Sequence, residues 1–352
     1  MNSSQLSEEL SRFIGMTGVP AAAAGIIDRQ GNFQMECAGQ CARDDPAPVG
    51  RDDQWHIGSC NKSITATLFG LLVENSKIDW QSTLAEVFAD CHDVMHADWF
   101  DITFDELFYC RSGMPANPSL ATTKASWQDQ RPFGEQRTDL IRNVLAKPPN
   151  KRGKFRYSNL GYITIGGAID RVAGMSYEAA LQNLLFNPLG VSSAGFGAPP
   201  RIKGHSSLIR SPWINLFKGK ACDPSLPASD NPAVFSSAGT LHLSLPDWAR
   251  YLAEFLENRK QPVISDAVIN AVMEAPPDYF MTRGMGRVDS PIASFAVQGS
   301  NTMWVATAMF SKERDRISLI ACNDGRSRLL SNTAQFAMRL LELPDHGNDE
   351  SA

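Results

Sequence analysis

Trp55-His56-Ile57-Gly58-Ser59-Cys60-Asn61-Lys62-Ser63 sets a serine and a lysine three residues apart where a helix begins. From Lys62 the apolar positions Ile64, Leu68, Leu71 and Leu72 follow helical spacing, and the helix is expected to run out near Asn75-Ser76. Residues i and i+3 of a helix share a face, so the two side chains can meet. A serine hydroxyl is a poor nucleophile until a neighbouring base takes its proton, and a lysine amine serves as that base only where desolvation or nearby positive charge weakens its hold on the proton. The helix N-terminus adds backbone N–H groups that stabilise negative charge on a carbonyl oxygen. Ser-x-x-Lys alone is a weak signal, because two fixed positions in four arise by chance in most chains of this length.

A second segment strengthens it. Phe155-Arg156-Tyr157-Ser158-Asn159-Leu160-Gly161-Tyr162 opens another expected helix. Tyr157 can accept and return a proton, and Asn159 can donate to a substrate carbonyl. With Ser-x-x-Lys and Tyr-x-Asn together, the chain resembles the serine β-lactamase and penicillin-binding-protein superfamily, in the branch of class C β-lactamases, D-alanyl-D-alanine carboxypeptidases and related esterases. The resemblance extends through Ile102-Thr103-Phe104-Asp105-Glu106-Leu107-Phe108 to Ser112-Gly113-Met114-Pro115, through Asn187-Pro188-Leu189-Gly190-Val191, and through Ser237-Ala238-Gly239-Thr240-Leu241 to Leu245-Pro246-Asp247-Trp248-Ala249. It covers roughly residues 15 to 340 in the family's order.

The resemblance implies an α/β (α+β) fold of the β-lactamase/transpeptidase type: a mixed, mainly antiparallel sheet from both chain ends, flanked by helices, with an all-helical lobe. One catalytic domain over 1–345 is expected, its sheet lobe at about 10–80 and 236–343 and its helical lobe at about 81–235. The pattern along the chain agrees. Leu6 to Ile14 reads as a short helix, Ala21 to Asp28 and Phe33 to Ala38 as strands around the turn Arg29-Gln30-Gly31-Asn32. Thr138 to Ala146, Gly161 to Val172 and Tyr177 to Leu185 read as helices. Ser294 to Val297, Trp304 to Phe310 and Ile317 to Cys322 read as strands, and Leu330 to Leu343 as a closing amphipathic helix. The implied mechanism has Ser59 attacking a carbonyl, Lys62 and Tyr157 moving protons, and water releasing the acyl group. The implied oxyanion hole is the backbone N–H of Ser59 with that of Ser300.

One motif departs from the family. Its third signature is Lys-Thr-Gly or His-x-Gly, and the aligned residues are Val297-Gln298-Gly299, continuing into Ser300. Gly299 is kept, as close approach of a substrate backbone requires. Val297 neither holds a proton nor attracts a carboxylate, which weighs against β-lactams and D-Ala-D-Ala termini. Gln298 has two readings of equal standing, a donor to a neutral substrate and an exposed strand residue.

Composition bounds the rest. The 352 residues are 43% hydrophobic and 20% charged with a net charge of −5, which fits a globular protein and offers no basic surface for nucleic acid. The densest basic stretch, Lys147 to Arg156, reads as a solvated connector. No apolar run reaches the length of a membrane span. Met1 to Glu9 is polar and acidic, unlike a secretory signal, so a cytoplasmic location is expected; a chain whose leader had been removed would read the same. Seven cysteines, an odd and scattered number, point to reduced thiols. No cofactor or metal is expected. Cys37 and Cys41 lack a second Cys/His pair, and His92 and His96 suit a metal only on a helix where a surface connection is expected. Cys60 reads as packing behind Ser59. His205 and His242 have no carboxylate near them in sequence, and Trp213, Phe217, Phe235 and Trp304 are candidates for an acyl pocket as well as for core.

The sequence therefore predicts a serine hydrolase acting on a small, neutral ester or amide. A β-lactamase or D-Ala-D-Ala carboxypeptidase, a non-catalytic binding descendant, and an acyl transferase using the same intermediate stay open. Oligomeric state is beyond the sequence.

Overall fold

A computed structural model describes residues 3–206 and 219–343. Strands β1 (Ala21–Asp28), β2 (Phe33–Ala42) and β3 (Asp45–Pro48) come from the beginning of the chain. A short strand β4 (Gln54–His56) leads into the Ser59 segment, and β5 (Gly195–Phe196) and β6 (Leu241–Ser244) lie far along the chain. Strands β7 (Gly286–Arg287), β8 (Ala293–Ser300), β9 (Val305–Ser311) and β10 (Arg316–Cys322) close the series.

The main sheet has the order β3-β2-β1-β10-β9-β8-β7, and each neighbouring pair is antiparallel. Its centre joins the two chain ends, with Ala22 opposite Cys322 and Ile27 opposite Ile317. Every residue of β9 is buried, because the sheet is covered on both faces and has no solvent side for polar residues to occupy. On one face lie helices α1 (Ser3–Thr17) and, from the end of the chain, Arg328–Glu342; Leu6, Leu10 and Phe13 pack there with Phe336 and Leu340. On the other face lies α2 (Asn61–Glu74), buried from Asn61 to Gly70. That helix is apolar nearly all round because it runs through the core between sheet and helical segments.

The edge strand β3 was invisible to pattern reading. Its sequence Asp45-Pro46-Ala47-Pro48 carries two prolines, which cannot donate to a ladder and are tolerated only at an edge. The expected helix Tyr177 to Leu185 is an α-turn, Tyr177–Ala180, followed by a π-turn, Leu181–Phe186. Pro188 lacks the N–H that would close an α-type bond onto Leu184. The helices α3 (Phe133–Leu145) and α4 (Asn159–Ala173) start a few residues earlier than their apolar periodicity indicates. The short segments β4, β5 and β6, of three, two and four residues, form a second sheet in the order β4-β6-β5, which ties the approach to Ser59 to the segment after Gly239.

A buried ion network fixes that segment. Arg137 on α3 is fully buried; it bonds Asp170 through Nε and Nη2 at 2.8 and 2.7 Å and Glu178 through Nη1 at 2.7 Å. Its Nη1 also donates to Ser236 Oγ at 2.8 Å, at the head of the helical turn Ser236–Gly239. Burial pushes the Glu178 carboxyl up, but the hydrogen bonds and charge of Arg137 outweigh it and hold Glu178 below the usual range. Such a carboxylate contributes stability above the ordinary carboxylate range that is lost as pH falls through its folded value. Removing the cation strands two partly buried anions, so Arg137→Met should cost about 3–5 kcal/mol at pH 7. The deficit should shrink at about pH 4, where protonation relieves the unpaired carboxyls; urea denaturation of both proteins at the two pH values measures it.

Candidate active site

Strand β4 ends at His56, and a 3₁₀ turn, Gly58–Cys60, carries the chain directly into α2. Ser59 sits in that turn, one turn before Lys62, as the spacing requires. Gly58 adopts φ +53°, and a side chain on it would collide with the backbone of Gly299 and Ser300. A side chain on Gly299 would in turn collide with Ile57 O and Ser59 N. Glycine at both positions lets β8 lie directly against the serine turn, with the backbone nitrogen of Ser59 beside Gly299 and that of Ser300 beside Gly58.

Lys62 is only 3% exposed. Its Nζ donates to Ser59 Oγ at 3.1 Å, to Asn159 Oδ1 at 2.8 Å and to Ala238 O at 2.5 Å. Three acceptors match the three N–H bonds of an ammonium. The Tyr157 hydroxyl donates to Ser59 Oγ at 2.7 Å. Lys62 Nζ also lies 5.0 Å from the Tyr157 ring centre and 5.3 Å from that of Tyr162. Tyr157 precedes α4, whose N-cap Ser158 accepts from Gly161 N. The nucleophile candidate thus lies between a cation and a phenol, an environment that favours negative charge on Oγ.

Ser59, Lys62, Tyr157, Asn159, Gly299 and Ser300 are brought together. Gln298 borders the same cavity, but of its two readings the substrate donor is disfavoured: its amide is engaged away from the serine, donating to Thr307 Oγ1 at 3.0 Å and Leu330 O at 2.8 Å. Side chains alternate along β8, so with Val297 and Gly299 turned to the serine, Gln298 faces the closing helix. Asn159 Nδ2 donates to Asn117 Oδ1 at 2.7 Å, which fixes the orientation of its amide.

Val297 is buried and lines a cavity of about 270 Å³ with Ser59, Lys62, Tyr157, Met281, Met285 and Val288. Arg287 on β7 contributes the other cation of that lining. Cys60 is fully buried behind Ser59, and desolvation pushes its thiol far up, so it has no thiolate character. All seven cysteines are free.

Two of the aromatic candidates do not line the Ser59 cavity. Phe235 and Trp304 are buried and absent from the lining of the Ser59 cavity, while Trp213 and Phe217 lie outside the described residues. His205 is bound to Asn323 O and Arg43 N, and His242 to Gly197 O. His92 faces Ala85 O on a run of short turns.

A different histidine was missed. His56 lies 2.8 Å from Asp230 through Nε2 and accepts from Gly58 N through Nδ1 at 3.1 Å. Asn301 Nδ2 donates to the other oxygen of Asp230 at 2.8 Å. A separation of 174 positions between His56 and Asp230 hides the pair from sequence reading. The visible signal was a histidine inside the motif segment itself, on a strand whose neighbours Trp55 and Ile57 are core.

The Beta-lactamase family profile matches residues 6–286. The unguisins hydrolase of Aspergillus violaceofuscus is 25% identical over 253 residues, 66% of this chain and 41% of that protein, so the match spans about two fifths of the relative's length. Among solved structures, SurE superposes with a TM-score of 0.76 at 17% identity, over 97% of this chain and 76% of SurE. A β-lactamase from Sulfitobacter sp. EE-36 superposes with a TM-score of 0.74 at 17% identity, over 97% of this chain and 98% of that one. With the profile covering most of its length and both neighbours sharing its fold, this chain belongs to the Beta-lactamase family.

Proposed function

We propose that the chain is a serine hydrolase that forms an acyl-enzyme on Ser59 and cleaves an ester or amide of a small, neutral acyl substrate. The observation that carries this reading is the pair of contacts on Ser59 Oγ, 3.1 Å from the Lys62 ammonium and 2.7 Å from the Tyr157 hydroxyl. Family membership and the hydrolase name of the curated relative support it.

In acylation, Ser59 Oγ bonds to the carbonyl carbon as its proton passes to Tyr157 Oη and, in concert, the phenolic proton moves on, so that Oη never carries two protons. The phenolic proton of Tyr157 passes to the leaving oxygen or nitrogen as that bond breaks. Lys62 remains an ammonium and offsets the negative charge that crosses the site. The N–H groups of Ser59 and Ser300 hold the carbonyl oxygen as it becomes anionic. Asn159 keeps one N–H of its amide for the substrate. Deacylation reverses the proton path: water gives its proton to Tyr157, attacks the acyl carbon, and Ser59 leaves with a proton returned. A neutral substrate is supported by Val297, an apolar wall where relatives of this type carry Lys or His, although Arg287 adds a cation elsewhere in the lining.

On p-nitrophenyl esters from acetate to octanoate, wild type should show turnover that Ser59→Ala lowers by at least ~10³-fold, and intact-mass analysis should find the acyl group on Ser59. Turnover surviving in Ser59→Ala would sink the acyl-enzyme. Tyr157→Phe keeps the ring and removes the proton carrier, so kcat should fall by about 10²–10⁴-fold with the fold intact by circular dichroism.

The Val297 wall gives a separate test. An ester carrying a free carboxylate should be cleaved less efficiently than its methyl ester. Val297→Lys should narrow that gap by about 10-fold or more in kcat/KM, the worth of one charged hydrogen bond. An unchanged ratio would remove Val297 as the source of neutrality.

A further inference from the structure

We propose that His56, Asp230 and Asn301 form a buried clamp that positions the Ser59 and Ser300 N–H groups, so that these three side chains act on the reaction through the backbone. This rests on the acyl-enzyme reading and assigns the residues that make its oxyanion site rigid.

The three residues are 1%, 5% and 8% exposed, and each sits next to a part of the site. His56 is two residues before Gly58, Asn301 directly follows Ser300, and Asp230 stands a short way before the turn Ser236–Gly239 that supplies Ala238 O to Lys62. Asp230 is the hub. One carboxylate oxygen takes His56 Nε2, and the other takes Asn301 Nδ2 and Asn231 N at 2.8 and 2.7 Å. Trp304 stacks on the imidazole at 5.4 Å between ring centres.

The hydrogen-bond directions are forced. Gly58 N–H can only donate, so His56 Nδ1 carries a lone pair; the ring proton is then on Nε2 and points at the carboxylate. Asp230 therefore selects the tautomer that holds Gly58, and Gly58 at φ +53° sets where Ser59 N points. On the other arm, Asp230 takes the Asn301 amide nitrogen, which leaves Asn301 Oδ1 to accept Met303 N and Trp304 N, both at 3.1 Å. Those bonds hold the turn after Ser300, where Thr302 sits at φ +74°, a backbone state that a β-branched residue keeps only under outside restraint. One carboxylate thus fixes both sides of Gly299. The imidazole does not reach Ser59 Oγ through either nitrogen, since both are occupied, so this is not a proton-relay triad.

Asp230→Asn tests the clamp with almost no change in shape. To keep the bonds from Asn301 and Asn231, the new amide must turn its NH₂ to His56 Nε2, which drives the ring proton to Nδ1 and against Gly58 N–H. The ¹⁵N shifts of the His56 ring should report Nε2–H in wild type and Nδ1–H in the variant. The amide resonances of Ser59 and Ser300 should move. His56→Phe, which keeps the stacking on Trp304, should move them too. His242→Phe, a buried histidine opposite His56 on β6, serves as the control and should leave them in place. On the best p-nitrophenyl ester, kcat should fall about 10²-fold in Asp230→Asn and His56→Phe, with KM within about threefold, as expected for a displaced oxyanion donor. Affinity for a boronic acid that places an oxygen between the two amides should fall in parallel.

Unmoved Ser59 and Ser300 amides, or a kcat loss in His242→Phe equal to that in Asp230→Asn, would overturn the clamp. Amides that move in a protein whose wild type gives no adduct at Ser59 would uphold the clamp and overturn the acyl-enzyme reading alone.

Discussion

The buried ammonium of Lys62 is the constraint around which the site is assembled. Taking a cation out of water costs several kcal/mol unless hydrogen bonds replace its hydration, and no ion pair of Lys62 with a carboxylate exists among the described residues. The compensation comes from three oxygens on three separate parts of the chain: Ser59 on the turn before α2, Asn159 at the start of α4, and Ala238 on the turn Ser236–Gly239. Two aromatic faces complete the shell. Each acceptor must be held at its place by other structure. Arg137 holds Ser236 from below, Asn61 Nδ2 donates to Ser236 O, and Thr65 Oγ1 donates to Ser237 O. Neutral acceptors satisfy the ammonium without cancelling its charge, and under the proposed mechanism that charge stands beside the developing alkoxide.

Parts of this arrangement were legible in the sequence because local rules govern them. Ser59 and Lys62 meet because three residues make nearly one helical turn. The strands Ala21–Asp28 and Arg316–Cys322 announce themselves by β-branched and small apolar runs between turn residues. Tyr157 and Asn159 became readable through the family resemblance, since nothing in residues 155–162 alone says that they face residue 59. The short strands β3, β5 and β7 were illegible for a different reason. Two to four residues carry no period, and their pairing is decided by the neighbouring strand.

Gln298 shows where pattern and geometry part. Its place in the third motif left two readings equal, a substrate donor and an exposed strand residue, and the period of two along a strand alternates the faces. With Gly299 pressed on the serine turn, both of its neighbours in the chain turn their side chains away from that contact. Val297, two residues back, shares the face of Gly299 and becomes the wall of the cavity. The chemically telling substitution in that motif is therefore at residue 297, and the polar residue beside it serves the packing of the closing helix.

The polar interior behind the site follows the same logic as the ammonium. Burying histidine, aspartate and asparagine together is costly unless every donor meets an acceptor, and among His56, Asp230 and Asn301 the bonds interlock so that each side chain fixes the orientation of the next. An apolar filling of equal volume would serve stability as well. What apolar groups cannot do is aim a backbone N–H. Gly58 donates to a ring nitrogen, Met303 and Trp304 donate to an amide oxygen, and between those two anchored turns lies the strand segment that meets Ser59. Directional bonds are needed only where direction matters, and these fall on the two turns that flank Ser59.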